Sequence, residues 1–264
     1  MNNVISLDFD FWVEFPEWEN LDWGFRETPF WIDHMWALRA GDALSNGVDL
    51  RKTITLADDE VPPGGFVESI VCDGTKIGNS KLAISESHAP AYKYLSGLKD
   101  MHVVHIDAHH DMGYEMKELN CDNWLMNLAK DGNVRKITMI YPKWRLRRMN
   151  EWDSAKARVT EALEGLGVEL EVHFGLEFMP VLKNVRRIFL SHSGAWTPPW
   201  LDQYFRELMA SLFRVRGGVM LYGAKSLDEL SRKLDWDEIQ KHADGMRTLK
   251  ANMEKPNGCL QRST

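Results

Sequence analysis

Short apolar runs alternate with helix-length segments along most of the chain, and this alternation restricts its fold more than any other feature. A strand, a helix and a second strand form a βαβ unit, and successive units build a parallel sheet. Right-handed crossovers place the connecting helices on both faces of that sheet. We therefore predict a three-layer αβα fold of the α/β class with a mostly parallel sheet. The predicted strands are residues 4–7, 101–106, 134–140, 168–172, 187–191 and 218–222.

The helices are predicted from local start and stop signals. Asp122 is expected to cap one helix, Gly167 is expected to end the next, and a pair of prolines opens the one after that. Ser226 and Glu229 form a capping box ahead of a C-terminal helix. The first three of these helices cover residues 122–129, 152–166 and 198–213, and a further helix is predicted at residues 31–44.

Composition limits the class of protein. The 264 residues are 44% hydrophobic and 27% charged, which predicts one domain over residues 1–254 with a flexible tail over residues 255–264. The formal net charge of −7 argues against nucleic-acid binding and leaves room for a cationic substrate. Three cysteines without CxxC spacing, the lack of a signal segment and the lack of a long apolar run predict a cytoplasmic protein outside the membrane.

The motif with the most chemical content is HIDAHHD at residues 105–111, directly after an apolar strand. Ligand sites of open α/β sheets lie beyond the carboxyl ends of the strands. Asp107, His109 and Asp111 alternate, so an extended backbone points all three side chains the same way. Two carboxylates and an imidazole suit a divalent metal with mixed oxygen and nitrogen preference, such as Mn²⁺.

Two further segments place ligand-type residues at strand ends. Asp8 and Asp10 follow the first strand on one side of the chain, where two carboxylates repel each other unless a cation or proton lies between them. His88 lies at a strand-to-helix junction in ISESHAP, residues 84–90. A single histidine in that position is more often structural. His88 is predicted as a metal ligand only because the other two segments are present.

Together these segments resemble the arginase (ureohydrolase) family, which binds two Mn²⁺ ions through similar motifs. SLDFD at residues 6–10 and DAHHD at residues 107–111 match the family's Ser-Leu-Asp-x-Asp and Asp-Ala-His-x-Asp segments, and SESH at residues 85–88 matches its His segment more loosely. The order is permuted relative to typical arginases. A bacterial branch with the same order also has a Ser-x-Ser-x-x-x-Thr-Pro-Pro segment, which is similar to LSHSGAWTPP at residues 190–199. That branch includes the peptide arginases.

The resemblance implies hydrolysis of peptidyl-arginine to peptidyl-ornithine and urea in a ribosomally made precursor peptide, with two Mn²⁺ per chain. It implies that Asp107 and Asp8 bridge the ions. The remaining implied ligands are His88 and Asp111 at one ion and His109 and Asp10 at the other.

Two parts of the arginase site have no clear equivalent in this sequence. Arginases keep a proton-shuttling His in the loop that corresponds to NCDNW, residues 120–124, which contains none. His110 and His192 are the substitutes by position, because an imidazole titrates near neutral pH. Glu86, two residues before His88, is the candidate acid for binding the guanidinium group.

Eleven tryptophans are present. Burial in the core is the simpler explanation, since Trp is highly buried on average. An aromatic entrance for an extended or cationic partner is the other. The segments that could form it are residues 11–12, 18–23, 31–36 and 196–200.

Three other functions remain open. The first is a ureohydrolase acting on a small guanidine or amidine of the agmatine or formimino type. The second is a zinc-dependent deacetylase-like hydrolase with a single ion, using Asp107, His109 and one further Asp. The third is a non-catalytic peptide-binding relative. Homo-oligomer formation is also left open by the sequence.

Overall fold

A computed structural model describes residues 1–15, 29–113, 118–215, 219–222 and 232–253 of the chain. Its centre is a seven-stranded sheet in which every strand pairing is parallel. A separate antiparallel pair is formed by β2 (Val13–Glu14) and β3 (Thr55–Leu56). The central strands are β1 (Asn2–Asp8), β4 (Lys81–Ser85), β5 (Met101–Ile106), β6 (Val134–Tyr141), β7 (Glu169–Phe174), β8 (Val185–Ser191) and β9 (Val219–Tyr222).

Eight α-helices are found among the described residues, with short 3₁₀ turns at Phe9–Trp12, Lys143–Arg148, Leu176–Phe178 and Pro199–Leu201. The helices are α1 (Pro29–Ser45), α2 (Leu50–Thr53), α3 (Pro63–Cys72), α4 (Pro90–Leu95), α5 (Trp124–Lys130), α6 (Met149–Leu163), α7 (Asp202–Val215) and α8 (Trp236–Met253).

The helices form a layer on each face of the sheet. Successive strand residues point to opposite faces, so Val103 packs in one core and Val104 in the other. Residues of α1, α3, α7 and α8 pack in the core that contains Val104. Residues of α4, α5 and α6 pack in the core that contains Val103. The predicted three-layer α/β fold is therefore confirmed.

The strand order is β7-β6-β5-β1-β8-β4-β9, so the N-terminal strand lies in the middle of the sheet. The register aligns the carboxyl ends of the central strands: Leu7 pairs with Ile106, and both Asp8 and Ser85 pair with Ser191. Strands β5, β1, β8 and β4 are neighbours in the sheet but distant in sequence. The residues that follow them therefore meet at one edge, where α/β proteins bind ligands.

The predicted strands are all present, whereas several helix ends differ. The third predicted helix is α6, which ends at Leu163 and not at Gly167, because Gly165 (φ 75°) already breaks the helical backbone. Helix α5 begins at Trp124, so its N-cap is Asn123 and not Asp122.

The last helix in the described residues is α8. It starts at Trp236, where Asp235 accepts hydrogen bonds from the backbone N–H groups of Asp237 and Glu238. The capping box predicted at residues 226–229 and the tail predicted at residues 255–264 lie outside the described residues.

Candidate metal centre

Ligand-type side chains from three strand ends meet at the carboxyl edge of the sheet. Asp8 ends β1, His88 follows β4, and residues 107–111 follow β5. The structure thus brings together all six residues that the resemblance implies as metal ligands, although they span more than a hundred residues of sequence. Two groups among them are compact enough to hold an ion: His88, His105, Asp107 and Asp111 form one, and Asp10, Asp107 and His109 form the other.

The first group is centred on His88. Its Nδ1 atom lies 3.2 Å from Asp107 Oδ2, 3.1 Å from Asp111 Oδ2 and 3.0 Å from Asp8 Oδ2. His105 Nε2 completes the group at 3.4 Å from Asp107 Oδ2. Asp8 contacts this group through His88 but belongs to neither of the two compact groups.

The second group shares Asp107 with the first. His109 Nδ1 lies 2.8 Å from Asp10 Oδ2 and 3.5 Å from Asp107 Oδ1. The two oxygens of Asp107 therefore face different groups, which is the arrangement of a carboxylate that bridges two ions.

Neighbouring groups fix the orientation of these side chains. Ser6 Oγ lies 2.7 Å from His88 Nε2, which leaves Nδ1 facing the carboxylates. The backbone N–H of His109 donates to Asp107 Oδ1 at 2.6 Å, and the indole N–H of Trp124 donates to Asp111 Oδ2 at 2.5 Å. Hydrogen bonds of this kind hold metal ligands in one orientation and tune their basicity.

Several atoms of the cluster are buried without a hydrogen-bond partner. They are Asp10 Oδ2, Asp107 Oδ2, His88 Nδ1 and both ring nitrogens of His105. Buried polar atoms in folded proteins are almost always hydrogen-bonded, so this set requires an explanation. Carboxylate oxygens and imidazole nitrogens that converge in this way fit a cation, and the cluster could therefore bind metal ions.

Charge in the cluster leads to the same conclusion. Burial, reinforced by repulsion from Asp10, Asp111 and Asp8, raises the pKa of Asp107 well above its usual value. Burial and the Asp10 charge also raise the pKa of Asp8. Four buried carboxylates cannot all ionise here without positive charge between them, and two divalent cations would balance them completely.

The histidines differ in their protonation. Burial opposes charge on His88 and His109, but the carboxylates of Asp111 and Asp10, respectively, raise the pKa of each ring. Burial lowers the pKa of His105 to about 3. His105 is therefore neutral at pH 7, which is the form that binds a metal.

Two residues at the cluster have a left-handed backbone, which is uncommon for residues other than glycine. They are Asp111 (φ 51°) and Ser193 (φ 48°). The carbonyl of Asp111 accepts hydrogen bonds from the N–H groups of Leu125 and Met126 in the first turn of α5. Ser193 Oγ donates to Asp8 Oδ2. Strained residues are characteristic of functional sites, and both of these serve a carboxylate of the cluster.

The cluster meets solvent at His109. The His109 side chain is 29% exposed, whereas the carboxylates that it contacts are buried. The half-buried Trp196 places its ring centroid 5.3 Å from that of His109. Trp12 and Trp36, from two other tryptophan-rich segments, are buried in the core and line no entrance. Residues 18–23 lie outside the described part of the chain.

The three residues predicted as catalytic lie beside the cluster. His110 is buried, its Nδ1 accepts a hydrogen bond from the N–H of Met112, and burial lowers its pKa to about 4. His192 Nδ1 lies 3.0 Å from Glu86 Oε1, and His192 Nε2 lies 3.2 Å from Asp202 Oδ1. Their roles in proton transfer and guanidinium binding stay predictions.

His105 is a member of the cluster that the sequence did not predict. It precedes Asp107 by two residues on β5, so strand alternation points both side chains to the same face. That spacing could have identified it. Ser193 lies in the Ser-x-Ser segment that the resemblance singled out, but its contact with Asp8 depends on the strand order. The contact of Trp124 with Asp111 depends on the helix that follows β5.

Comparisons with protein-family models, with curated proteins and with solved structures found no match to this chain. None of the helices in the described residues is long and apolar enough to cross a membrane.

Proposed function

We propose that this protein is a hydrolase that uses two divalent metal ions, with Mn²⁺ as the physiological metal, to convert peptidyl-arginine into peptidyl-ornithine and urea. The observation that carries the proposal is the position of Asp107, whose two oxygens face two separate groups of ligands. A cluster built for one ion does not need a shared carboxylate, whereas a pair of ions does. The mixed carboxylate and imidazole donors suit Mn²⁺.

The cluster residues would bind the two ions in two groups. One ion would be held by His88, His105 and Asp111, and the other by Asp10 and His109. Both ions would share the carboxylates of Asp107 and Asp8. When bound, a pair of divalent ions lowers the pKa of water and supplies a nucleophile at neutral pH.

The substrate class follows from charge and access together with the resemblance. A chain with a net charge of −7, and an opening at His109 with an aromatic ring beside it, suit a planar cation such as guanidinium. The branch of arginase relatives that the motifs resemble acts on arginine within a peptide, whose backbone would stay outside the opening.

The test combines metal analysis with mass spectrometry. Mn²⁺-loaded protein is incubated with arginine-containing peptides, and free arginine and agmatine are run beside them. Peptidyl-arginine activity predicts loss of one CH₂N₂ unit per modified arginine, release of urea, and no product with the Asp107→Asn variant. Turnover of agmatine or free arginine alone would replace the peptide by a small guanidine as substrate.

One observation favours a second candidate, a zinc hydrolase of the deacetylase type with a single ion. His88, His105, Asp107 and Asp111 form a four-ligand group that could hold one ion without the second group. Metal stoichiometry separates the two candidates. One tightly bound Zn²⁺ per chain, with no urea from any guanidine, would favour the single-ion enzyme.

A further inference from the structure

The loop that follows β8 connects the metal cluster to a buried ionic network. Ser193 in this loop donates a hydrogen bond to Asp8, the proposed second bridging ligand. The Ser193 backbone is left-handed (φ 48°), a conformation that a serine keeps only when surrounding contacts enforce it. The orientation of Asp8 therefore depends on whatever holds this loop.

Trp36 and Arg39 donate hydrogen bonds to the carbonyls of Gly194 and Ala195 in this loop. Further contacts come from Arg232, a residue just before α8. Its Nη1 donates to the carbonyl of Gly194 at 2.7 Å, and its Nη2 donates to the carbonyl of Thr197 at 2.7 Å. Thr197 Oγ1 in turn donates to the carbonyl of His192 at 2.9 Å. Arg232 thus holds the loop directly after Ser193 and, through Thr197, is linked to the carbonyl just before it.

The charge of Arg232 is balanced inside the protein. Asp202 Oδ1 accepts from Arg232 Nη2 at 2.6 Å, and Asp202 Oδ2 accepts from the Arg232 backbone N–H at 2.8 Å. His192 lies between Asp202 and Glu86 and continues the network. All four side chains are buried or nearly so. Paired buried charges are costly to break, so the network is a rigid support for the loop.

The loop also lies tightly against this support. A Cβ atom at Gly194 would lie 2.6 Å from Glu86 Oε2 and 3.0 Å from Arg232 Nη1. Only glycine lets the backbone approach so closely. A movement of the network would therefore move the loop.

We propose that Arg232 is a positioning residue of the metal centre, which acts through the loop at residues 192–197 to hold Ser193 against Asp8. The inference rests on the proposed metal-dependent function. In this inference His192 and Glu86 support the loop that holds Asp8, and they do not take part in proton transfer.

The experiment is a double-mutant cycle on Mn²⁺ affinity, measured by the EPR signal of free Mn²⁺ during titration of the full-length protein. Ser193→Ala removes the hydrogen bond to Asp8, and Arg232→Met removes the support. Loss of a hydrogen bond to a metal ligand weakens metal binding by roughly 10-fold or more. We expect each single variant to show such a loss and the double variant to bind Mn²⁺ no more weakly than either, while their losses of thermal stability add.

Arg187→Met is the matched control, since Arg187 is a partly buried arginine on β8 whose guanidinium group donates to the carbonyl of Tyr94, away from the loop. It should lose stability and keep its Mn²⁺ affinity. If Arg232→Met does not fold, Thr197→Val tests the same link, because it removes the hydroxyl that ties the loop to itself. Thr197→Val is then expected to be non-additive with Ser193→Ala.

Wild-type Mn²⁺ affinity in the Arg232 variant, or in Thr197→Val where that variant replaces it, would overturn the inference and leave the proposed function standing. The inference would also be overturned if the fold-loss of Mn²⁺ affinity in the double variant equals the product of the two single losses. The two residues would then act independently. Wild-type protein that binds no Mn²⁺ would overturn both proposals.

Discussion

Replacing Asp107 with asparagine should change stability in opposite directions with and without metal. The Asp107 and Asp111 ligand atoms lie within 4.8 Å of each other. Two unit charges at that separation would repel by about 3 to 4 kcal/mol at an effective dielectric constant of about 20, and this repulsion contributes to the raised pKa of Asp107. His88 and His109 offset part of this repulsion in the metal-free protein. We therefore expect Asp107→Asn to raise the free energy of unfolding in EDTA by about 1–2 kcal/mol.

Bound metal should make wild type more stable than Asp107→Asn. A ligand at 100 times its Kd stabilises a protein by about 2.7 kcal/mol per site, and Asp107→Asn weakens both groups at once. About 1 kcal/mol corresponds to roughly 2–4 °C in Tm for a chain of this size. Thermal melts followed by circular dichroism should show the variant melting above wild type in EDTA and below it in excess Mn²⁺.

The control is Asp58→Asn, which changes an exposed carboxylate and should shift neither melt. An Asp107→Asn protein that melts below wild type in EDTA would refute the repulsion argument. A variant with the same Mn²⁺-induced rise in Tm as wild type would refute the assignment of Asp107 as a shared ligand.

Three further changes test separate parts of the structure. Trp196→Ala should raise KM for an arginine-containing peptide severalfold with a smaller effect on kcat, because the ring beside His109 would contact the cation before reaction; steady-state kinetics measure this. Trp124→Phe should weaken Mn²⁺ binding roughly 10-fold in a titration, because it removes the hydrogen bond to Asp111. Burial lowers the pKa of His102 below 6.5, so wild type should lose more stability than His102→Gln as pH falls below about 6.5, as urea denaturation would show.

Each of these has a result that contradicts it. Trp196→Phe should retain most of the affinity, so an equal loss in both variants would argue against a contact between an aromatic ring and a cation. Unchanged Mn²⁺ affinity in Trp124→Phe would mean that this hydrogen bond does not orient Asp111. An identical pH dependence of wild type and His102→Gln would mean that His102 titrates as it does in the unfolded chain.

The parallel sheet and the convergence of the motifs were accessible from sequence, because both depend on local patterns. Strand alternation aligns Asp107, His109 and Asp111, and the carboxyl ends of parallel strands share one edge. The pairing of Asp107 with two ligand groups could be expected only through a resemblance to a family, since it requires the distance between β1 and β5.

Long-range order explains what the sequence did not reveal. The position of β1 between β5 and β8 follows from pairings between residues far apart in the chain, for which no local signal exists. The role of Arg232 could not be predicted from the sequence for the same reason. Its contacts with Gly194 and Thr197 join segments on either side of α7. Helix ends were misplaced where a neighbouring residue, such as Gly165 or Asn123, ended or capped the helix instead.

The most direct test of a two-ion centre that shares Asp107 is the EPR spectrum of the protein loaded with Mn²⁺, recorded together with the number of ions bound per chain. Two ions that share Asp107 lie close enough to couple magnetically. We expect two Mn²⁺ per chain with an exchange-coupled spectrum that Asp107→Asn converts to an uncoupled one. A single ion per chain, or two ions without coupling in the wild type, would contradict the shared-carboxylate centre.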